Sequence, residues 1–333
     1  MHSSKLLITV FLILCLIPLL LMPLIPAKAA ANEVLAPSPR AGIHMLEQLS
    51  DWFSDRFAFR QEMVTAWARI NAAIFRTSAE KQVILGEDGW LYYAESLNDY
   101  SGCHLTQEEL DSIARHLLRL QEEAESAGCR FLFTVAPNKN SIYTSHMPDS
   151  FPENHKESNI AMLVPYLDKY DVHYISLYDL FADHDGLYYA TDSHWTAEGA
   201  ARVADRLLGS SFSDGEFAAG EKRKGDLYEM LYPAGCGTEQ QVYYCGNLDY
   251  ETLGDPKGGD AVTIKTVSDT GTGKLLCFRD SFGISLYPYL AACSEEALFT
   301  RSVSFNFEKY NPEDYDTVIV EIVERNLDYL LEN

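Results

Sequence analysis

Three residues of this chain have the side-chain types that move an acyl group. Ser281 stands in FRDSFG, directly after the apolar run KLLCF, while Asp192 and His194 stand two positions apart in TDSHWTAEG. A serine hydroxyl is a poor nucleophile until a base takes its proton, and imidazole is suited to that task near neutral pH. A carboxylate just before the histidine can accept from its other ring nitrogen, which fixes the tautomer and stabilises the imidazolium. Each residue also has an ordinary reading. Asp192 could cap the helix that follows, His194 could be a partly buried core histidine, and Ser281 could cap a helix of its own. A metal reading of Asp192 and His194 is disfavoured, because a site needs three or four converging ligands. His104, His116, His146, His155, His173 and His184 offer no second ligand pair at helical or strand spacing. Neither a metal nor another cofactor is expected.

The elements that must position these residues alternate along the chain. Thr106 and Glu109 form a capping box ahead of a helix with Leu110, Ile113, Leu117 and Leu120 on one face, ended by Gly128. CRFLFTVAP (129–137) reads as a buried strand, ESNIAMLVPYLDKY (157–170) as a helix and VHYISLYDLF (172–181) as a strand. TAEGAARVADRLLG (196–209) is a helix capped by Thr196 and stopped by Gly209. The strand KLLCF, the helix ISLYPYLAAC and the strands ALFTRSVSF (297–305) and DTVIVEIVERN (316–326) complete the series. Upstream, VILGEDGWLYY (83–93) reads as a hairpin turning at Asp88-Gly89, and residues 210–273 as an inserted β-rich excursion. Alternating strands and helices predict an α/β fold with a mainly parallel sheet. Ligands of such sheets bind beyond the carboxyl ends of the strands. This adds Asn138, Lys139, Arg301, Arg325 and Asn326 as candidates for substrate or oxyanion contacts, with the Ser281 N–H as the leading oxyanion donor. Trp195, beside the histidine, could shield the pair or stack on a sugar ring.

The 333 residues carry 26 basic and 49 acidic side chains, a formal charge of −23. That balance argues against nucleic acid or an anionic membrane surface as the main partner. A hydrophobic content of 47% with 12% aromatics belongs to a globular protein. Lys5 precedes an uncharged apolar run over residues 6–26, and Ala27-Lys28-Ala29 offers a small-x-small cleavage signal. Residues 1–32 therefore read as a signal anchor or a cleaved signal peptide, and either places the remainder outside the cytoplasm. Residues 33–80 form a membrane-proximal helical segment and 81–333 the α/β domain. In an oxidising compartment Cys236 and Cys245, in AGCGTEQQVYYCG, could bridge across a hairpin.

TDSHWTAEGA, FRDSFG, GEDGWLYY and VAPNKNSIY, in order between about residues 50 and 330, resemble the DHHW or alginate-acetylation-protein-like family, a branch of the SGNH hydrolase superfamily. The resemblance implies a three-layer α/β/α sandwich in which the usual order is circularly permuted, so that Asp192 and His194 precede Ser281. It implies a catalytic Ser281, His194 and Asp192, with Asn326 or Arg325 near the place of the superfamily's oxyanion asparagine. Arg279 stands where that superfamily usually has glycine. The implied activity is O-acylation, chiefly O-acetylation, of a cell-envelope glycan or exopolysaccharide, with an acyl donor supplied by a membrane acyltransferase partner. Two alternatives share the sequence: a carbohydrate acetyl-esterase with the same residues, and a non-catalytic envelope polysaccharide-assembly protein.

Overall fold

The computed structural model describes residues 2–29, 34–151, 157–182, 184–254, 262–301 and 305–331. His155 and residues 302–304 of the expected strand ALFTRSVSF lie outside the described residues. The chain divides into two compact units, Met1–Leu85 with Lys224–Thr238, and Gly86–Arg223 with Glu239–Asn333.

The second unit is a mixed α/β structure around one seven-stranded sheet. Its strands are β1 (Arg130–Ala136), β2 (Tyr174–Ile175), β3 (Glu251–Leu253), β4 (Thr263–Val267), β5 (Lys274–Phe278), β6 (Glu296–Thr300) and β7 (Thr317–Val323). Their order is β2-β1-β7-β5-β6-β4-β3. The first five run parallel, and β4 and β3 extend the sheet antiparallel beside β6. Parallel strands are covered on both faces and so read as continuous apolar runs. Alternate side chains therefore enter two separate cores. Leu132, Leu275, Cys277, Phe299 and Ile319 join one, while Phe131, Phe133, Leu276, Phe278 and Val320 join the other.

Four helices cover these faces. The helices α1 (Gln107–Ser126) and α2 (Asn159–Lys169) bury Leu110, Ile113, Leu117, Ile160, Leu163 and Leu167 in the second core. The helices α3 (Ala197–Leu208) and α4 (Gly283–Cys293) bury Val203, Leu207, Leu286 and Leu290 in the first. Full burial of one such side chain is worth about 1.5–3 kcal/mol. The Thr106–Glu109 capping box is formed, and Thr196 caps α3 by accepting from the Gly199 N–H, with Gly209 left-handed at its end. At the expected turn, Asp88 and Gly89 have φ of 53° and 83°.

Two expectations change. Residues 172–181 do not form one strand: β2 ends at Ile175 and a helical turn occupies Tyr178–Phe181. Leu177 and Phe181 join the first core while Tyr174 and Tyr178 pack on the second, an i,i+4 spacing that serves a helical turn as well as a strand. Residues 210–273 are not one excursion, since β3 and β4 belong to the main sheet. The rest holds a separate antiparallel pair, Phe217–Arg223 with Glu239–Tyr244.

The first unit contains the helices His2–Leu21, Met45–Arg56 and Arg60–Ile70, and the short helix Asp226–Leu231, whose Leu227 and Leu231 are buried. The Ala234 N–H donates to Thr65 Oγ1 at 2.9 Å. Among the described residues no helix is long and apolar enough to cross a membrane. The helix His2–Leu21 opens with polar residues through Lys5, and its apolar part, at 1.5 Å per residue, extends ~24 Å against a hydrocarbon core of ~30 Å.

A close approach at the start of α3 bears on the loop before it. A Cβ on Gly199 would meet the Leu187 carbonyl oxygen at 2.6 Å, the same oxygen that accepts from the Thr196 N–H at 2.8 Å. Gly199→Ala should therefore cost ~1–3 kcal/mol, read as a lower urea midpoint. An unchanged midpoint would show that α3 does not press on this loop.

Candidate active site

Ser281 and His194 reach each other from different elements. Strand β5 ends at Phe278, and Arg279, Asp280 and Ser281 form a sharp turn into α4. Asp280 secures that turn: its Oδ1 accepts from the Phe282 N–H at 2.8 Å and its Oδ2 from the Val323 N–H at 2.7 Å, at the end of the adjacent β7. The Asp280 N–H in turn donates to Glu321 Oε2 at 3.3 Å. Glu321 is fully buried, and burial, followed by the neighbouring Asp280 charge, pushes its carboxyl well above the ordinary range.

His194 lies in a loop closed by a single bridge between Tyr188 and Trp195. The Tyr189 N–H donates to the His194 carbonyl at 3.2 Å. The imidazole Nε2 stands 3.0 Å from Ser281 Oγ, and Nδ1 stands 2.8 Å from Asp192 Oδ1. The same Oδ1 accepts from the His194 N–H at 3.0 Å, so the carboxylate is oriented by backbone as well as ring. Ser193 Oγ lies 3.2 Å from Nδ1. With Nδ1–H donating to Asp192, the Nε2 lone pair faces the serine hydroxyl. His194 and Asp192 are partly exposed, at 24% and 22%, so a substrate can approach them.

Aromatic packing holds the imidazole. The Phe282 ring lies 4.9 Å from that of His194 and 4.9 Å from that of Trp195, edge-on to the indole. Trp195 itself is fully buried and stacks on Phe181 at 6.0 Å. It cannot serve as a sugar platform. Its part is to back Phe282, which supports the histidine, and Phe282 was missed as a functional residue because a phenylalanine after Asp-Ser reads as ordinary core.

The other candidates divide. Lys139 is almost wholly buried. Its Nζ donates to the carbonyls of Tyr189, Ala190 and Asp192 at 3.0, 3.1 and 2.7 Å, so it grips the histidine loop. Asn138 is also buried, with its N–H donating to Glu324 Oε2 at 2.9 Å. Arg325 is half-buried at the site: its guanidinium lies 5.5 Å from the Phe282 ring and 5.1 Å from the Tyr93 ring, with Nη1 3.5 Å from Asn138 Oδ1. Asn326 is half-buried in the 3₁₀-helical stretch Glu324–Leu330, and Arg301 follows β6 with its N–H donating to the Val262 carbonyl. Among the described residues nothing in the chain accepts from the Ser281 N–H. Cys236 and Cys245 are exposed free thiols. In the chain they flank the strand Glu239–Tyr244.

Glu239, which the sequence did not single out, holds the histidine loop from another side. Its carboxylate accepts from the Thr191 hydroxyl at 2.5 Å and from the Thr191 N–H at 3.2 Å. Burial raises its pKa, and the Thr191 hydrogen bonds act in the opposite direction.

These geometries meet three comparisons. Residues 83–232 match the family described as SGNH hydrolase-like domain, acetyltransferase AlgX. That stretch is similar to the AlgX-type SGNH hydrolase-like family. It contains Asp192 and His194 and stops short of Ser281. The chain is similar to the probable alginate O-acetylases AlgJ of Pseudomonas syringae pv. tomato, 24% identical over 197 residues, and of Pseudomonas aeruginosa, 25% identical over 162 residues. The first alignment covers 54% of this chain and 48% of that relative, the second 46% and 39%. The chain thus spans under half the length of the curated relatives it matches. Among solved structures, Bacillus cereus PatB1 carrying a sulfonyl adduct superposes with a TM-score of 0.57 at 13% identity, covering 75% of this chain and 97% of PatB1. A DHHW family protein from Eubacterium siraeum gives 0.53 at 17% identity, covering 75% and 95%. Both likenesses establish the fold.

Below the strand ends, Asp99 is buried beside Glu324, and its Oδ1 accepts from the Asn159 N–H at 2.6 Å. Burial first, and then Glu324, pushes the Asp99 carboxyl up to about 9. A carboxyl raised on folding favours the protonated native state. Its stabilisation is complete below the ordinary carboxylate range and is lost as pH rises through about 9. Melting temperatures from about pH 5 to about pH 10 should therefore fall with pH more steeply for the unmodified chain than for Asp99→Asn. Parallel profiles would refute this.

Proposed function

We propose that this protein is an extracytoplasmic O-acyltransferase, with acetyl as the acyl group, acting on a cell-envelope glycan or exopolysaccharide through Ser281, His194 and Asp192. The observation that carries the proposal is the continuous line from Asp192 Oδ1 to His194 Nδ1 and from Nε2 to Ser281 Oγ, at 2.8 and 3.0 Å. These separations allow direct proton transfer without a rearrangement of the loop.

In the first half-reaction Nε2 takes the hydroxyl proton as Ser281 Oγ attacks the carbonyl carbon of the acyl donor. The tetrahedral oxyanion is met by the Ser281 N–H, with Asn326, Arg325 and Arg301 as further candidate contacts. The imidazolium then returns its proton to the departing oxygen, leaving the acyl group as an ester on Ser281. In the second half-reaction Nε2 deprotonates a sugar hydroxyl, which attacks that ester and restores the serine. Asp192 keeps its charge throughout and stabilises the imidazolium. Water in place of the sugar gives hydrolysis by the same residues.

Helix pairs on opposite faces of the sheet support reading the second unit as a three-layer sandwich. The strand order, in which β1 and β2 precede the nucleophile strand β5 in the chain, fits a circularly permuted SGNH arrangement. The apolar N-terminal run supports placement outside the cytoplasm, by a signal anchor or a cleaved signal peptide. The similarity to the alginate O-acetylases AlgJ supports a polysaccharide acceptor, and the proposal assigns the acyl donor to a membrane acyltransferase partner.

Ser281→Ala should lower acetyl-ester turnover by at least ~10³-fold with the thermal melt preserved. Incubation with an acetyl-ester donor and glycan oligomers should add acetyl mass to the glycan. Full turnover in Ser281→Ala would overturn the assignment. Release of free acetate alone, with every glycan unmodified, would make the protein an esterase.

A further inference from the structure

We propose that Lys139 and Glu239 are positioning residues for this reaction, a two-sided clamp that fixes the loop carrying Asp192 and His194 in register with Ser281. The inference rests on the serine mechanism above and extends it to groups that do not touch the reacting atoms. The Lys139 ammonium has three N–H donors, and three carbonyl oxygens of the loop lie within 3.1 Å of it. One of them belongs to Asp192, so the lysine holds the residue that orients the base. The ammonium also lies 5.4 Å from the Trp90 ring and 5.2 Å from the Tyr92 ring, an aromatic lining that favours a cation at that point.

The loop lacks regular structure of its own. Three carbonyl dipoles converging on one point repel one another unless a cation neutralises them. Lys139 supplies it from the helical turn Lys139–Ile142 that follows β1, so the segment leaving the sheet, through one side chain, sets the height of the loop. Glu239 binds the same loop by its donors, taking the N–H and hydroxyl of Thr191. Two further ties lie alongside: the Tyr188 hydroxyl donates to the Pro137 carbonyl at 2.6 Å, and the Leu91 N–H donates to the Ala190 carbonyl at 2.9 Å. A basic side chain thus grips the carbonyls on either side of Thr191, and an acidic one grips Thr191 itself. A displacement of about 1 Å between base and nucleophile is enough to cost ~10²-fold in rate.

Lys139→Ala should fold, bind an acetyl-ester substrate with KM within about twofold, and lose ~10²-fold in kcat and in the rate at which a fluorophosphonate labels Ser281. Propylammonium chloride should restore labelling saturably by ~10-fold or more, and sodium chloride at equal ionic strength should not. A KM rise at unchanged kcat would make Lys139 a substrate contact and overturn the clamp. Loss without rescue by propylammonium in a folded variant would also overturn it. If Lys139→Ala does not fold, Glu239→Ala decides: slower labelling at unchanged KM supports the clamp, and unaltered labelling refutes it. An unmodified chain that is not labelled at Ser281 defeats the serine mechanism and the clamp together. A labelled unmodified chain with Lys139→Ala labelled at the same rate defeats only the clamp.

Discussion

A single contact of 3.0 Å, between His194 Nε2 and Ser281 Oγ, joins side chains 87 residues apart in the sequence, and the rest of the second unit is organised around keeping it short. Neither partner is on a regular element. Ser281 is in a turn held by both carboxylate oxygens of Asp280, one reaching into α4 and the other into β7. His194 is in a loop whose carbonyls are gathered by Lys139 and whose Thr191 is held by Glu239. Phe282 and Trp195 fill the space between, so the imidazole rests on an aromatic stack continuous with the first core. The reactive atoms are placed by side chains that have no part in the chemistry.

That arrangement concentrates buried polar groups beneath the strand ends. Glu321, Glu324, Asp99, Arg279 and Lys139 are all withdrawn from solvent there. Burying charge is costly unless it is paired, hydrogen-bonded or neutralised by a proton. The structure uses these remedies side by side. Asp99 and Glu321 are held toward their protonated forms, Glu324 Oε2 accepts from the Asn138 N–H and the Ser141 hydroxyl, and Lys139 is met by carbonyls. Arg279 follows a related logic. Its side chain runs where a Cβ on Gly283 would sit, 2.5 Å from Arg279 Cδ. The large Arg279 side chain is thus accommodated by a glycine four positions later.

The sequence showed much of this plan through local chemistry. Thr106, Thr196 and Gly209 marked helix ends because capping depends on neighbours in the chain, and the apolar runs gave the parallel strands because both their faces are covered. Asp192, His194 and Ser281 stood out by residue type. What was not legible depended on contacts between distant segments. Trp195 looked like a ligand platform, yet Phe181 and Phe282 enclose it. Lys139 looked like a substrate contact, yet its partners lie 50 and more residues onward. Glu239 gave no local signal, since its only marker is Thr191 in another segment. The short β2 escaped the pattern because Tyr174, Leu177, Tyr178 and Phe181 satisfy strand and helix spacing together.

The position of β7 has a consequence for how the protein is made. Synthesis is vectorial, and β7 leaves the ribosome after every other strand of the sheet, yet it lies between β1 and β5. Until it inserts, β1, which leads to Lys139, and β5, which leads to Ser281, lie in two separate half-sheets. The Asp280 carboxylate then lacks the Val323 N–H that fixes it. A nascent chain therefore holds Ser281, His194 and Asp192 without their alignment, and long-range parallel pairing of this kind is a slow step. Ser281 and His194 are brought into register only once β7 has joined the sheet, by the order of assembly itself.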